Sequence, residues 1–201
     1  MVIAKTFDSA LKQRRSFYAI SKDSVISDVE IQSLITDAVK YTPSAFNSQS
    51  ARVIVLFGAQ HDRLWDITKE TLRPLVPADK FSSTEEKVDG FKNGYGTVLF
   101  FEDQDTVAGL QTAYPLYKDN FPVWSLESSG MLQSNVWMML EAAGFGVNLQ
   151  HYNPLIDGKV RETWNVPSGW KLLAEMPFGK PLAEPDRKDF LPVEDRLKIY
   201  K

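Results

Sequence analysis

Val136-Trp137-Met138-Met139-Leu140 is an unbroken run of large apolar residues closing a segment, Phe121 to Ala143, whose pattern is helical. A helix has no face on which such a run can meet water, so it must be buried all round, inside the fold or against a partner subunit. Two further runs need the same cover. Val53-Ile54-Val55-Leu56-Phe57, closed by Gly58, and Thr97-Val98-Leu99-Phe100-Phe101 are β-branched and aromatic without polar alternation, the pattern of buried strands. The 201 residues, 43% of them hydrophobic, suffice for one sizeable core, and no linker, repeat or low-complexity tract divides them. A single domain over 1–201 is therefore expected.

The flanking segments predict a mixed α and β order. Ile3, Phe7 and Leu11 make a helical stripe that ends near Arg14. Ser27-Asp28-Val29-Glu30 is a capping box, followed by Ile31, Leu34, Ile35, Ala38 and Val39 on one helical face; Pro43 stops this helix at Thr42. Leu64, Trp65, Thr68 and Leu72 suggest a third helix ended by Pro74, and Ser83-Thr84-Glu85-Glu86 a cap for a short helix to Asn93. After Gly144 and Gly146, the residues from Val147 to Tyr152 read as a third strand. A helix around Val160 to Trp164 and a strand from Trp170 to Pro177 follow. The stretch from Gly179 to Lys201 carries Pro181, Pro185 and Pro192 with scattered apolar residues such as Leu182, Phe190, Leu191 and Ile199. It cannot form a core of its own, and is expected to lie as an extended arm over a neighbouring subunit.

Composition removes several function classes. With 23 basic and 26 acidic residues spread along the chain, net charge −3, there is no footprint for nucleic acid or an anionic membrane. Cysteine is absent, which excludes disulfides, thiolate nucleophiles and Cys-ligated metal or iron–sulfur sites, so redox chemistry must be borrowed from a cofactor. Gly144-Phe145-Gly146 and Gly94-Tyr95-Gly96 each begin a dinucleotide fingerprint, but Leu149 and Leu99 occupy the third glycine position. His61 and His151 have no metal-ligand spacing, so no metal site is expected. Ser9-Ala10-Leu11-Lys12 matches an acylase pattern whose companion motif is missing. The N-terminal residues lack the apolar run of a signal peptide, and no run approaches the ~18 apolar residues of a membrane span; a cytoplasmic protein is expected.

What remains is a polar constellation. Arg14-Arg15-Ser16 sets two guanidinium groups and a hydroxyl at a helix end, suited to gripping a phosphate, although the macrodipole alone also favours arginine there. In the loop Ser44 to Ser50, the amides of Asn47 and Gln49 match the polar edge of a flat heterocycle, although such residues are also turn formers. Lys180, with Arg187 and Lys188 following, forms a second cationic cluster that reads equally as a solvated tail.

Taken in order, Arg14-Arg15-Ser16, the loop Pro43 to Ser50, the segment Gly144-Phe145-Gly146-Val147-Asn148-Leu149-Gln150-His151-Tyr152-Asn153-Pro154 and Met176-Pro177-Phe178-Gly179-Lys180-Pro181 resemble the nitroreductase family of flavoproteins over nearly the whole chain. The short branch with copper-induced bacterial and fatty-acid-repression-type yeast members is the nearest pattern. The resemblance implies an α+β nitroreductase-like fold, a central mixed or antiparallel sheet flanked by helices. It also implies an obligate homodimer with the arm 179–201 over its partner, and FMN at the subunit interface.

By that pattern Arg14, Arg15 and Ser16 hold the FMN phosphate and ribityl region, and Lys180 with Arg187 completes the phosphate grip. Asn47 and Gln49, from the partner, touch the ribityl chain and pyrimidine edge, and Leu149 and Gln150 lie against the ring near N5. Ser50-Ala51 stands where larger members carry Pro-Trp, so substrate and nicotinamide preference do not carry over. The implied activity is ping-pong NAD(P)H oxidoreduction of a small electron-poor acceptor such as a nitroaromatic or quinone, with FMN rather than a catalytic side chain carrying the chemistry. Tyr114, Tyr117, Phe121 and Trp124 form the densest aromatic cluster, fit for an acceptor pocket or for plain core packing. A flavin- or lipid-responsive sensor with little turnover, and a structural protein without cofactor, are the competing readings.

Overall fold

The computed structural model describes residues 5–201, so Ile3 lies outside the described residues. The chain runs α1 (Phe7–Gln13), β1 (Ile20–Ser21), α2 (Asp28–Tyr41), β2 (Ala51–Phe57), α3 (Gly58–Leu72), α4 (Phe81–Lys92), β3 (Gly96–Asp103), α5 (Gln104–Ala113), α6 (Phe121–Ala142), β4 (Gly146–Val147), α7 (Asp157–Trp164) and β5 (Trp170–Pro181). The sheet is antiparallel in the order β1-β5-β3-β2, with β4 also paired to β5.

β3 explains why its sequence lacks polar alternation. Val98 and Phe100 pack with Ile31 and Ile35 of α2 and with Val136 and Leu140 of α6 on one face. Leu99 and Phe101 pack with Leu64 and Trp65 of α3, Phe91 of α4 and Val160 of α7 on the other. A central strand covered by helices on both sides can be apolar at every position. α6 meets its own requirement in the same core: Val136, Met138 and Leu140 are buried, and Trp137 and Met139 half-buried against the cluster.

Several expectations are met residue by residue. Ser27 and Glu30 make both bonds of the capping box, and α2 ends with Thr42 as its C-cap, before Pro43. Gly144, at φ 97°, takes the left-handed turn after α6 that a residue with Cβ resists.

Others need correction. β2 has the composition of a fully covered strand, yet it is an edge strand in which Leu56 alone is buried. α4 begins at Phe81, upstream of the expected cap at Ser83, and Lys80 makes no side-chain cap there. The third strand is only Gly146–Val147 with an isolated bridge at Gln150, although the Asn148 N–H still donates to the Pro177 carbonyl of β5. The last strand extends past Pro177 to Pro181. α5 was not expected; Asp103 caps it by accepting from the Asp105 and Thr106 N–H groups.

Beyond β5 the chain is extended apart from a single 3-10 turn, Val193–Asp195, and its apolar side chains Leu182, Phe190, Leu191, Val193, Leu197, Ile199 and Tyr200 are exposed.

His61, which the sequence marks only as lacking metal-ligand spacing, is a core group. Trp65 Nε1–H donates to Thr97 Oγ1 at 3.0 Å, so the Thr97 hydroxyl proton is free to donate to His61 Nδ1 at 2.8 Å, and His61 Nε2–H then donates to the Lys92 carbonyl at 3.1 Å. Burial holds the imidazole pKa below its ordinary value. The neutral ring is thus the folded form, and this contribution to stability is complete above the ordinary histidine value and is lost as pH falls below it. Thr97→Val removes the shared hydroxyl and strands two buried polar groups. The expected cost is about 2 kcal/mol in urea unfolding at neutral pH; a change under ~0.5 kcal/mol would show the chain of bonds to be unimportant.

Candidate active site

α1 ends with the Arg14 N–H bonded to the Ala10 carbonyl at 2.7 Å, and from Arg14 the chain runs extended toward β1. Its course is set by the segment after α6. Phe17 N–H donates to the Val147 carbonyl at 3.0 Å, Asn148 Nδ2 donates to the Phe17 carbonyl at 2.7 Å, and Ser16 bridges to Val147. Glycine at 146 permits the approach, since a Cβ there would lie 2.9 Å from Phe17 Cβ.

Arg14, Arg15 and Ser16 thereby line one side of a cavity of about 450 Å³. The facing wall is the chain after β5, including Ala183, Glu184, Pro185, Asp186 and Lys188. The Arg14 guanidinium stacks over the Trp137 ring of α6, 4.7 Å from its centroid. Arg15 donates to the Asp186 main-chain carbonyl. Among the described residues neither arginine is paired with a carboxylate. Two half-buried guanidinium groups without a counter-charge, beside a hydroxyl and an ammonium, suit an anionic ligand. Glu184 and Asp186 put negative charge on the far wall, so the anion preference belongs to the N-terminal side.

Of the second cationic cluster, Lys188 joins this cavity. Lys180 is exposed opposite Ser21 on β5, and neither it nor Arg187 lines the cavity.

The loop before β2 holds three non-glycine residues in the left-handed region, Phe46 (φ 55°), Asn47 (φ 51°) and Gln49 (φ 48°). Each such residue costs on the order of 1 kcal/mol, and strain concentrated in one loop is a mark of function. Ser44 Oγ restrains the loop by accepting the Gln49 N–H at 2.9 Å. Gln49 lines a second cavity, of about 370 Å³, with Lys40, Thr42, Arg52, Ser128 and Trp170 among its walls. The two cavities share no residue, so Gln49 and Arg14 line separate cavities in one chain, and Asn47 lines neither. Leu149 packs on the core beside α6. Gln150 is buried, exchanging main-chain bonds with Glu175 at 2.7 and 2.9 Å.

Phe46 is the functional candidate that sequence reasoning missed. Its ring is the hub of the aromatic cluster, with centroids 4.9 Å from Tyr114, 5.9 Å from Tyr117, 5.2 Å from Phe121 and 6.1 Å from Trp124. These contacts hold a bulky residue in an unfavourable backbone conformation, and its ring remains half exposed, at 49%. The available signal was an aromatic residue inside a polar loop.

Three comparisons bear on this arrangement. The family model described as Nitroreductase family matches residues 11–180. HBN1 of Saccharomyces cerevisiae is 34% identical over 194 residues, covering 95% of this chain and 96% of that protein. The nitroreductase CinD from Lactococcus lactis, solved in complex with chloramphenicol, is 42% identical with a TM-score of 0.89, covering 98% of this chain and all of that one. A structure with FMN from Exiguobacterium sibiricum shares the fold at 17% identity and a TM-score of 0.69, with 98% of each chain covered. Sequence and fold agree over nearly the full length, and the chain belongs to the nitroreductase family.

Proposed function

We propose that this chain is an FMN-dependent NAD(P)H oxidoreductase that reduces small electron-poor acceptors, nitroaromatics or quinones, as a homodimer. Family membership supports an oxidoreductase. The observation that carries the cofactor assignment is the Arg14-Arg15-Ser16 wall, whose guanidinium groups lack carboxylate partners among the described residues and face a cavity large enough for a nucleotide-sized ligand. A phosphate monoester is the chemistry those groups fit, and the FMN held by a protein of the same fold ends in one.

When bound, FMN supplies hydride acceptance from a nicotinamide and hydride donation to the acceptor. The residues of this chain bind, orient and desolvate. Arg14, Arg15, Ser16 and Lys188 hold the phosphate end. Arg187, outside the cavity of the single chain, completes the grip only through a rearranged arm, whereas Lys180 is held on β5 opposite Ser21. Asn47 and Gln49 act across the subunit interface, which accounts for the separation of the two cavities. The exposed apolar residues of the chain after β5 supply a surface for that dimer. The Phe46 cluster offers a flat apolar face to an aromatic acceptor, in line with the chloramphenicol and 4-nitrophenol complexes of CinD. Protons for the reduced acceptor come from water.

The test is the visible absorption spectrum of the purified protein, followed anaerobically through addition of NADH or NADPH and then of a nitroaromatic. Flavin bands that bleach and return support the reductase. Bands that stay oxidised favour a sensor, and no bands after FMN reconstitution overturn the assignment. Phe46→Ala is expected to raise KM for an aromatic acceptor about fivefold while leaving FMN affinity within about twofold, in keeping with about 1 kcal/mol for an aromatic pair. Steady-state kinetics with a nitroaromatic and a non-aromatic quinone analogue check it.

A further inference from the structure

The strained loop before β2 is pinned at its last left-handed residue from both sides. The Gln49 N–H is bound by Ser44 Oγ at 2.9 Å, and the Gln49 carbonyl accepts from Arg52 Nη1 at 2.6 Å. The same nitrogen donates to the Ala51 carbonyl at 3.0 Å, and Nη2 donates to Asp103 Oδ2 at 2.7 Å. The guanidinium also lies over the Trp170 ring, 5.7 Å from its centroid. Both protons of Nη1 are thus spent on main-chain oxygens, and the charge is balanced by Asp103 in a pair whose side chains are only 29% and 14% exposed. Arg52 lines the second cavity beside Gln49, yet unlike Arg14 it has no uncompensated charge to offer a ligand.

Asp103 carries the connection further. Its Oδ1 accepts from the Asp105 and Thr106 N–H groups at 3.1 and 3.3 Å and so caps α5. The C-cap of that helix is Tyr114, whose ring centroid is 4.9 Å from that of Phe46. One carboxylate therefore holds Phe46 from two directions, through Arg52 and the main chain of the loop, and through α5 and Tyr114. The Phe46 ring borders a cavity of about 320 Å³ with Trp124, Ser128 and Met131 among its walls, and Ser128 also lines the cavity that contains Arg52.

We infer that Arg52 is a positioning residue for acceptor recognition: by holding the Gln49 carbonyl it keeps the loop in its strained form and sets the Phe46 face against which an aromatic acceptor packs. This rests on the reading of that face as the acceptor surface. The role needs arginine, because a planar fork spans the Gln49 carbonyl and the Asp103 carboxylate at once, whereas an ammonium is a single point. Without the fork, Gln49 is free to relax out of the left-handed region, and Phe46 is released with it.

The test is calorimetric titration of the oxidised protein, reconstituted with FMN, with 4-nitrophenol and no nicotinamide, so that binding is read without turnover. Phe46→Ala is expected to weaken 4-nitrophenol binding about fivefold, and Arg52→Met, which keeps an apolar stem, about three- to fivefold, because it acts through that ring. In the Phe46→Ala background Arg52→Met is expected to add less than about 1.5-fold, the non-additivity of two changes on one path. Arg52→Lys is expected to behave like Arg52→Met.

A loss from Arg52→Met that is as large in the Phe46→Ala background as in the natural protein overturns the positioning role. So does natural binding of 4-nitrophenol by Arg52→Met or by Arg52→Lys. If Arg52→Met does not fold, Arg52→Lys, which retains an ion pair with Asp103, decides the matter alone and in the Phe46→Ala background. Absence of 4-nitrophenol binding by the natural protein overturns the inference whatever its flavin spectrum shows. A protein that takes up no FMN yet reproduces the pattern of losses supports the inference and removes the flavin reading alone.

Discussion

Arg14→Ala is expected to weaken FMN binding by about a hundredfold while leaving riboflavin binding within about twofold. A charge-assisted hydrogen bond contributes roughly 1.5–3 kcal/mol, about 10- to 150-fold in a dissociation constant. Arg14 has two properties that place it at the upper end. It is stacked on Trp137, which fixes the guanidinium plane before any ligand arrives, and no carboxylate among the described residues competes for it. Arg14→Lys keeps the charge and loses the fork and the stack, so it is expected to recover only part of the affinity. Quenching of flavin fluorescence on titration measures all of these. Because FMN and riboflavin differ in the phosphate alone, an equal loss for both ligands would assign Arg14 to the fold rather than to the phosphate.

The second large effect is one of pH on stability. Glu175 is wholly buried on β5, with Oε2 accepting from the Tyr152 N–H at 2.8 Å and Oε1 without a partner. Burial, reinforced by the nearby Asp157 carboxylate, pushes its pKa up to about 7. A carboxyl with a raised folded pKa adds stability that is fully present below its unfolded value and is lost as pH rises through the folded value. At about 1.4 kcal/mol per pH unit, the penalty accumulated between pH ~4.5 and pH ~7 is roughly 3 kcal/mol.

Glu175→Gln keeps an acceptor for Tyr152 and abolishes the ionisation. It is therefore expected to stabilise the protein by about 3 kcal/mol at pH ~8 and to be near neutral at pH ~4.5. Urea unfolding of both proteins at the two pH values is the check, and a gain independent of pH would sink the explanation. His61 acts in the opposite sense, its contribution vanishing as pH falls below the ordinary histidine value, so the two groups pull stability in opposite directions on the acid side of neutrality.

Some of this molecule could be read without tertiary information because the physics involved is local. Both capping-box bonds of α2 join residues three apart, so Ser27 and Glu30 specify the helix start by themselves. Arg14-Arg15-Ser16 was legible because a short helix ends beside the charges, which puts three polar groups on one extended turn. The apolar runs were legible as burial requirements, although composition states how much cover a strand needs and not where the cover comes from. β3 and β2 carry the same pattern; β3 finds helices on both faces, whereas β2 lies at the edge, half-buried within one chain. α5 escaped notice because its apolar stripe is weak, with Val107 alone buried, and its decisive feature is the Asp103 cap at the end of a strand.

The site itself divides along the same line. Charges and amides were named from the sequence because their chemistry belongs to the side chain. Their partners were not: Asn148 reaches Phe17 across 131 positions, and Phe46 meets a cluster contributed by α6 and the turn that precedes it. The sequence alone determined the periodicities, the capping box of α2 and the family pattern. Only the tertiary structure decided which strand is central, which arginine is stacked and uncompensated, and which way the buried amides face. Propensity and capping act over a few bonds, whereas burial, desolvation and amide polarity depend on groups brought together by closing long loops.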